Sequence, residues 1–250
     1  MSPRLEIIGI QGLPEVCPGD DLARLLLSAL REQSLALHPH DILVISQKIV
    51  SKAEARLVRL EEILPSPVAV SVAQGLGRDP RLIEVILRET RRIVRMDRGI
   101  LITETKQGMI CANAGVDQSN VDAGVVSLLP DDPDRSASQL RQEFKRLTGL
   151  FVGVIISDTF GRPWREGLTN VAVGLSGIAP LKSYLGEKDP AGHVLQATIL
   201  AIADELAGAA ELVMGKLERV PVALVRGYPL DNDQGTGRDL LRPPERDLFR

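Results

Sequence analysis

The sequence predicts a mixed α/β fold of the α+β kind, and three features carry that expectation. Four short, largely apolar runs, Leu5–Ile10, Asp41–Ile45, Phe151–Ile156 and Pro221–Val225, have the length and residue types of buried strands. Between them lie stretches whose apolar residues recur at helical spacing. Leu22, Leu25, Leu26, Ala29 and Leu30 form one stripe, and Leu82, Ile83, Ile86, Leu87, Ile93 and Val94 form another. Gly99–Thr103 and Met109–Ala112 flank Lys106-Gln107-Gly108, as in a β-hairpin with a longer loop.

Composition bounds the rest. The 250 residues suffice for one large domain or two modest ones, with a core of useful size. Aromatics are only 3% of the chain, so that core must be built from Leu, Ile, Val and Ala. A net charge of −3 provides no basic field, which argues against a nucleic-acid partner. The two cysteines, Cys17 and Cys111, make neither a disulfide framework nor a zinc site, and they fit a reduced, cytoplasmic setting. The first residues lack the shape of a signal peptide. No apolar run approaches the roughly 20 residues that span a bilayer, so no membrane partner is expected.

In chain order, Leu5–Ile10 ends at the turn Gln11-Gly12-Leu13-Pro14. Asp20 or Asp21 can cap the first helix. His38-Pro39-His40 reads as a solvated turn rather than a metal site. Ser46-Gln47-Lys48-Ile49-Val50-Ser51-Lys52 follows the strand at Asp41–Ile45. Its hydroxyls and lysines suit a phosphate, although a solvated strand end explains them as well. Asp79-Pro80 opens a helix with proline at its first position. Arg88, Arg91, Arg92 and Arg95 lie mostly on its far side, as a solvated face.

Pro130-Asp131-Asp132-Pro133-Asp134 is a surface linker. It marks a subdomain boundary near 130–135 within a single 1–250 unit. Ser136 or Ser138 caps a helix that Gly149 stops. Val171–Leu175 is a strand and Tyr184–Pro190 a loop. A long helix is expected over Ala191–Met214, with His193 on the surface.

Three acid-bearing loops directly follow strands. Phe151–Ile156 stops at Ser157-Asp158-Thr159, followed by a turn with two arginines and the only Trp. Met109–Ala112 runs into Asn113-Ala114-Gly115-Val116-Asp117-Gln118-Ser119-Asn120, where Gly115 allows close backbone approach to a ligand. Pro221–Val225 opens into a loop carrying Asp231-Asn232-Asp233-Gln234-Gly235-Thr236-Gly237. Ligands bind where strands end, because the loops there converge. Carboxylates beside hydroxyls are hard ligands for Mg²⁺ or Mn²⁺. Each loop alone is equally a capped turn or an Asx cluster. Together with Lys48 and Lys52 they fit two divalent cations neutralising a nucleotide triphosphate during phosphoryl transfer. Residue types and spacing lead that far and name no substrate.

The motifs Gly12-Leu13-Pro14, Ser51-Lys52-Ala53-Glu54, Asn113–Asn120, Ser157-Asp158-Thr159-Phe160-Gly161-Arg162-Pro163-Trp164 and Ala203-Asp204-Glu205-Leu206-Ala207 occur in order along the chain. In these the sequence resembles the coenzyme F(420)-0:L-glutamate ligase family, over essentially its whole length. The resemblance implies a GTP-dependent enzyme that activates the carboxylate of the deazaflavin coenzyme F(420)-0 as an acyl phosphate. L-Glutamate then forms an amide with it, and further glutamates can follow through γ-linkages. It implies two divalent cations, Mg²⁺ or Mn²⁺, often a potassium ion, a fold peculiar to the family, and an intertwined homodimer.

Carried over residue by residue, the resemblance makes Asp117 and Asp158 ligands of the first metal and the residues that act in catalysis through it. Thr159 and Gln234 match ligands of the second. Leu13, Pro14, Glu15 and Val16 match a loop lying against GTP. Gln47, Lys48, Lys52 and Asn120 match nucleotide contacts. Asn232, Asp233, Gln234, Gly235, Thr236, Gly237, Arg238 and Asp239 match the segment that closes over the phosphates. Some relatives carry Glu at the position of Gln234, and an amide oxygen is the weaker cation ligand. Either Asp233 shares the role or the second metal is held less tightly. Arg162, Trp164 and Arg165 are the candidates for the acceptor's neighbourhood. Some relatives carry a fused nitroreductase-like domain, which is not expected here.

Cations bridging the phosphates would remove the repulsion between an attacking carboxylate and a triphosphate. A dry pocket would protect the acyl phosphate from water. No covalent enzyme nucleophile is needed, so Cys17 and Cys111 should be dispensable. The competing readings are a metal-dependent phosphohydrolase and a nucleotide-binding protein without turnover.

Overall fold

The computed structural model describes residues 3–230 and 235–247. Chain order is β1 (Glu6–Ile10), α1 (Leu22–Glu32), β2 (Ile42–Ser46), α2 (Gln47–Ala53), β3 (Leu57–Arg59), α3 (Pro67–Leu76) and α4 (Pro80–Glu89). There follow β4 (Thr90–Asp97), β5 (Ile100–Thr105), β6 (Ile110–Ala112), β7 (Val125–Ser127) and α5 (Pro133–Thr148). The chain continues with β8 (Gly153–Arg162), β9 (Arg165–Ser176), β10 (Lys182–Ser183), β11 (Ile199–Leu200), α6 (Ile202–Met214) and β12 (Val222–Arg226). The α+β expectation holds.

A five-stranded sheet ordered β1-β12-β2-β8-β9 forms the centre. Only β2 and β8 run parallel within it, with Ser46 at the end of β2 opposite Ser157 in the middle of β8. Both faces are covered, so successive residues are apolar rather than alternating. Leu43 and Ile45 face α1 and α5, where Leu26, Leu30, Ala137 and Phe144 are buried. Ile42 and Val44 face α6, against Ala203, Leu206, Ala207 and Ala210. The small residues of α6 let that helix lie close to the sheet.

The stretch between α2 and α5 builds its own core. Ala69 and Ala73 of α3 meet Leu82, Ile83, Val85 and Ile86 of α4, with Leu101 and Val126. The pairing of β3 with β7 closes this lobe at its base, and β4-β5-β6 forms its outer sheet. Arg56, where the chain enters this lobe, joins the end of α4 to the stretch that leads out toward α5. Its guanidinium is 2.8 Å from Glu89 and 3.1 Å from Asp131, and it donates to the Leu129 carbonyl at 2.9 Å.

Several elements differ from the sequence reading. The helix opened by Asp79-Pro80 ends at Glu89, so Arg91, Arg92, Ile93, Val94 and Arg95 belong to strand β4. Thr90 Oγ1 takes the Ile86 carbonyl at 2.7 Å there, and β-branched residues at 90, 93 and 94 favour a strand. The helix after the linker is capped by Asp132, which accepts the Arg135 N–H, and not by Ser136 or Ser138. The long helix begins at Ile202, not Ala191, because 182–201 is spent on the β10–β11 ribbon and the turns inside it. Ser46–Lys52, read as phosphate contacts after a strand or as a solvated strand end, is largely the short helix α2. The largest difference is β8, which continues through Asp158 to Arg162 and pairs with β9 as a long hairpin.

Candidate functional site

The end of β2 lies beside Ser157 in the middle of β8, and the chemistry-bearing residues come directly after these two positions. Lys48 is the second residue of α2, just beyond β2. Asp158 is one residue beyond the Ser46–Ser157 pair, still inside β8. Asp117 comes from the lobe, where its backbone bridges to Ser127 next to β7.

Lys48 joins these parts. Its Nζ is 2.7 Å from Asp117 Oδ2 and donates to Ser119 Oγ at 2.5 Å. Ser119 in turn donates its hydroxyl to Asp117 Oδ2 at 2.6 Å and its N–H to Oδ1 at 2.9 Å. Burial pushes the Asp117 pKa up, but the hydrogen bonds from Lys48 and Ser119 outweigh it. The net value lies below the usual carboxylate range.

Asp158 has the opposite balance. Among the described residues its hydrogen-bond donor is the Thr159 N–H, at 2.8 Å. Crowding by protein raises its pKa to about 6, the Asp117 charge adds to the rise, and Lys48 and Lys216 oppose it. The Lys48 charge thus favours the ionised form of both carboxylates, while burial opposes it more strongly at Asp158.

Thr159 is held by residues that the sequence reading missed. Its hydroxyl donates to Asn170 Oδ1 at 2.7 Å and accepts from Lys216 Nζ at 2.6 Å. Glu211 of α6 accepts from Asn170 Nδ2 at 2.7 Å and pairs with Lys216 at 2.6 Å. Lys216 carries no sequence signal, because a lysine after a helix-ending glycine is an ordinary capping pattern. Only the lie of α6 along β9 brings it here.

A β-bulge beside the site explains two further acids. Ile156 pairs with Gly174 and Ser157 with Ala172, so Val173 is skipped. Asp204 of α6 accepts the Ala172 N–H at 2.9 Å, and Asp134 of α5 accepts the Leu175 N–H at 2.9 Å. Carboxylates from helices on the two faces thus satisfy backbone donors flanking the irregularity. Asp134 Oδ1 also accepts the Gly237 N–H at 2.6 Å. It thereby fixes the segment Gly235-Thr236-Gly237-Arg238-Asp239 over β9. Thr236 and Asp239 close that segment in a capping box, and Arg238 lies 3.5 Å from Asp132.

The other candidates are placed as follows. Leu13, Pro14, Glu15 and Val16 lie in the loop after β1, with Val16 buried and Glu15 paired with Lys52. Lys52 is itself buried. Gln47 is buried, and its carboxamide oxygen accepts from Ser51 Oγ at 2.8 Å. Asn120 is exposed beyond Ser119, with φ of 55°. Asn232, Asp233 and Gln234 lie outside the described residues.

Arg162, Trp164 and Arg165 sit at the hairpin tip, four residues or ~13 Å of strand beyond Asp158. There the guanidinium of Arg162 donates to the Glu166 carbonyl at 2.9 Å, and Trp164 is 80% exposed. Gly115 is needed for a different reason from the one expected. A Cβ there would lie 2.7 Å from Leu129, so the close approach is to the core.

The donor set of Asp117, Asp158 and the Thr159 hydroxyl is made of hard oxygens. The mutual repulsion of its carboxylates is what a divalent cation would relieve, so these residues fit a Mg²⁺ or Mn²⁺ ion. Among the described residues no group of three or more His, Cys, Asp and Glu is arranged to hold a metal. No helix among them is long and apolar enough to cross a membrane.

Comparison with known proteins identifies the family. The model of the family described as F420-0:Gamma-glutamyl ligase matches residues 10–227. The chain is 48% identical to the coenzyme F420:L-glutamate ligase of Methanothermobacter thermautotrophicus, covering 98% of this chain and 99% of the relative. It is 47% identical to the protein of that name from Methanopyrus kandleri, covering 99% and 98%. The one from Methanocaldococcus jannaschii is 44% identical, covering 99% and 97%. Matched over nearly its whole length by such relatives, the chain belongs to the F420-0:gamma-glutamyl ligase family.

Proposed function

We propose that the chain is a GTP-dependent ligase that joins L-glutamate to the deazaflavin coenzyme F(420)-0, and adds further γ-linked glutamates, in coenzyme F(420) biosynthesis. The observation that carries the reading is the Lys48–Asp117 pair, 2.7 Å long, just beyond the strand that lies beside Asp158's strand, with Lys52 on the same short helix. The names borne by the full-length relatives support the acceptor and the amino acid.

In this reading Lys48, Lys52 and the segment Gly235–Asp239 receive the triphosphate. The acceptor carboxylate takes the terminal phosphoryl group and becomes an acyl phosphate, with GDP leaving. The glutamate amine then displaces phosphate to give the amide. Asp117, Asp158 and Thr159 would hold divalent cations, Mg²⁺ or Mn²⁺, whose contribution is charge neutralisation on the phosphates. Gln234 or Asp233 would complete the second site, and a potassium ion belongs to the same proposal. The long hairpin and Asp134 keep these groups in register as charge moves. Trp164, Leu168, Leu212 and Leu217 are exposed apolar side chains that a second copy would cover, which supports a homodimer. Free Cys17 and Cys111 fit the cytoplasm.

The test is product analysis with GTP, Mn²⁺, L-glutamate and F(420)-0. Amide and phosphate should form in equal amounts. Phosphate release without acceptor would point to a phosphohydrolase, and saturable GTP binding without turnover to a non-catalytic protein.

A further inference from the structure

We propose that Lys216 is a resident cation of this site, which holds the Thr159 hydroxyl in place of the second divalent ion and yields when that ion binds. The inference rests on the metal-assisted reading above. Its basis is a closed ring of contacts around one hydroxyl. The single hydrogen of Thr159 Oγ1 goes to Asn170 Oδ1, at 2.7 Å. The ammonium of Lys216 therefore donates to a lone pair of the same oxygen, at 2.6 Å. Glu211 closes the ring, holding Lys216 with Oε1 at 2.6 Å and Asn170 with Oε2 at 2.7 Å.

A metal on Thr159 conflicts with that arrangement. An ion bound at roughly 2.1 Å from the hydroxyl oxygen would lie within roughly 5 Å of the ammonium, and the two cations would repel in a crowded site. One of them has to leave. Lys216 can do so at little cost. Its side chain is 59% exposed, it follows Gly215 at the C-terminus of α6, and its four-carbon stem is flexible. Glu211 retains it as a tether while it swings clear of Thr159.

The arrangement makes the second cation compete with a built-in charge. The hydroxyl and its acidic surroundings stay neutralised between turnovers. A divalent ion gains full hold only when phosphate oxygens arrive with it to outweigh Lys216. The second ion and the nucleotide are thereby coupled.

The test is a titration of nucleotide-free protein with Mn²⁺, followed by electron paramagnetic resonance of the free ion. Wild type is compared with Lys216→Met and Lys216→Arg. Lys216→Met should tighten the weaker of two dissociation constants about tenfold, because the competing charge is gone. Lys216→Arg keeps the charge and should retain the wild-type constant. The melting temperature of Lys216→Met should also rise more on adding Mn²⁺ than that of the wild type. Two-site binding with the weaker constant unchanged or looser in Lys216→Met would overturn the inference and leave the metal-assisted reading standing. Absence of Mn²⁺ binding in all three proteins would overturn both.

Discussion

The ammonium of Lys48 reaches from the start of α2 to the carboxylate of Asp117, 2.7 Å from Oδ2, and so joins the central sheet to the lobe. With Ser119 it offsets the burial of Asp117 and keeps that group ionised. Lys48→Met should lower kcat/KM for GTP by about 100-fold, the loss typical when one preorganised charge is removed from a transferring phosphoryl group. Steady-state kinetics measure this, and circular dichroism should report an unchanged fold. Kinetics within about threefold of wild type would remove Lys48 from the site.

Asp158 opposes folding when it is ionised. Its folded pKa is raised from 3.8 to about 6, so between those values the folded chain keeps a proton that the unfolded chain has released. Stability from this group is present below the unfolded pKa and is lost as the pH rises to about 6. Above that the ionised carboxylate costs on the order of 1–3 kcal/mol. Asp158→Asn should abolish turnover, yet be at least as stable as wild type in urea at neutral pH with EDTA. A clearly less stable variant would show that Asp158 is held by partners other than those described.

Gly237 has no room for a side chain. A Cβ there would lie 3.0 Å from the Val173 carbonyl oxygen and 3.2 Å from Asp134 Oδ1. Gly237→Ala should displace the segment 235–239 and raise KM for GTP about tenfold, with kcat and melting temperature changed less. A tighter KM would separate this segment from the nucleotide.

Arg56, where the chain enters the lobe, pairs with Glu89 at the end of α4, whose side chain is only 10% exposed. Arg56→Met leaves Glu89 with Lys106, at 3.1 Å, as its remaining cation. The urea midpoint should fall by the equivalent of about 2–4 kcal/mol, and hydrogen exchange should quicken within residues 57–128. An unchanged midpoint would mean that the pair breaks even against its desolvation.

Burial, and after it the Asp158 charge, pushes the Cys111 thiol up to about 12, so at neutral pH it is not a nucleophile. The double variant Cys17→Ser, Cys111→Ser should keep turnover within about threefold of wild type. Full loss of ligase activity would require a covalent step through sulfur.

The sequence by itself determined the four buried strands and the helices capped at Asp21 and Asp79. Those signals are local: runs of apolar residues, a capping side chain, a proline at a helix start. The tertiary structure decided what depends on distant partners. Strand β8 runs past Ile156 because β9 supplies its hydrogen bonds, and a polar strand outside the core has no apolar pattern to announce it. Thr90–Asp97 continues an apolar stripe that reads as helix, and pairing with β5 makes it a strand. Lys216 meets Thr159 only because α6 packs along β9, a relation that no spacing within the chain encodes.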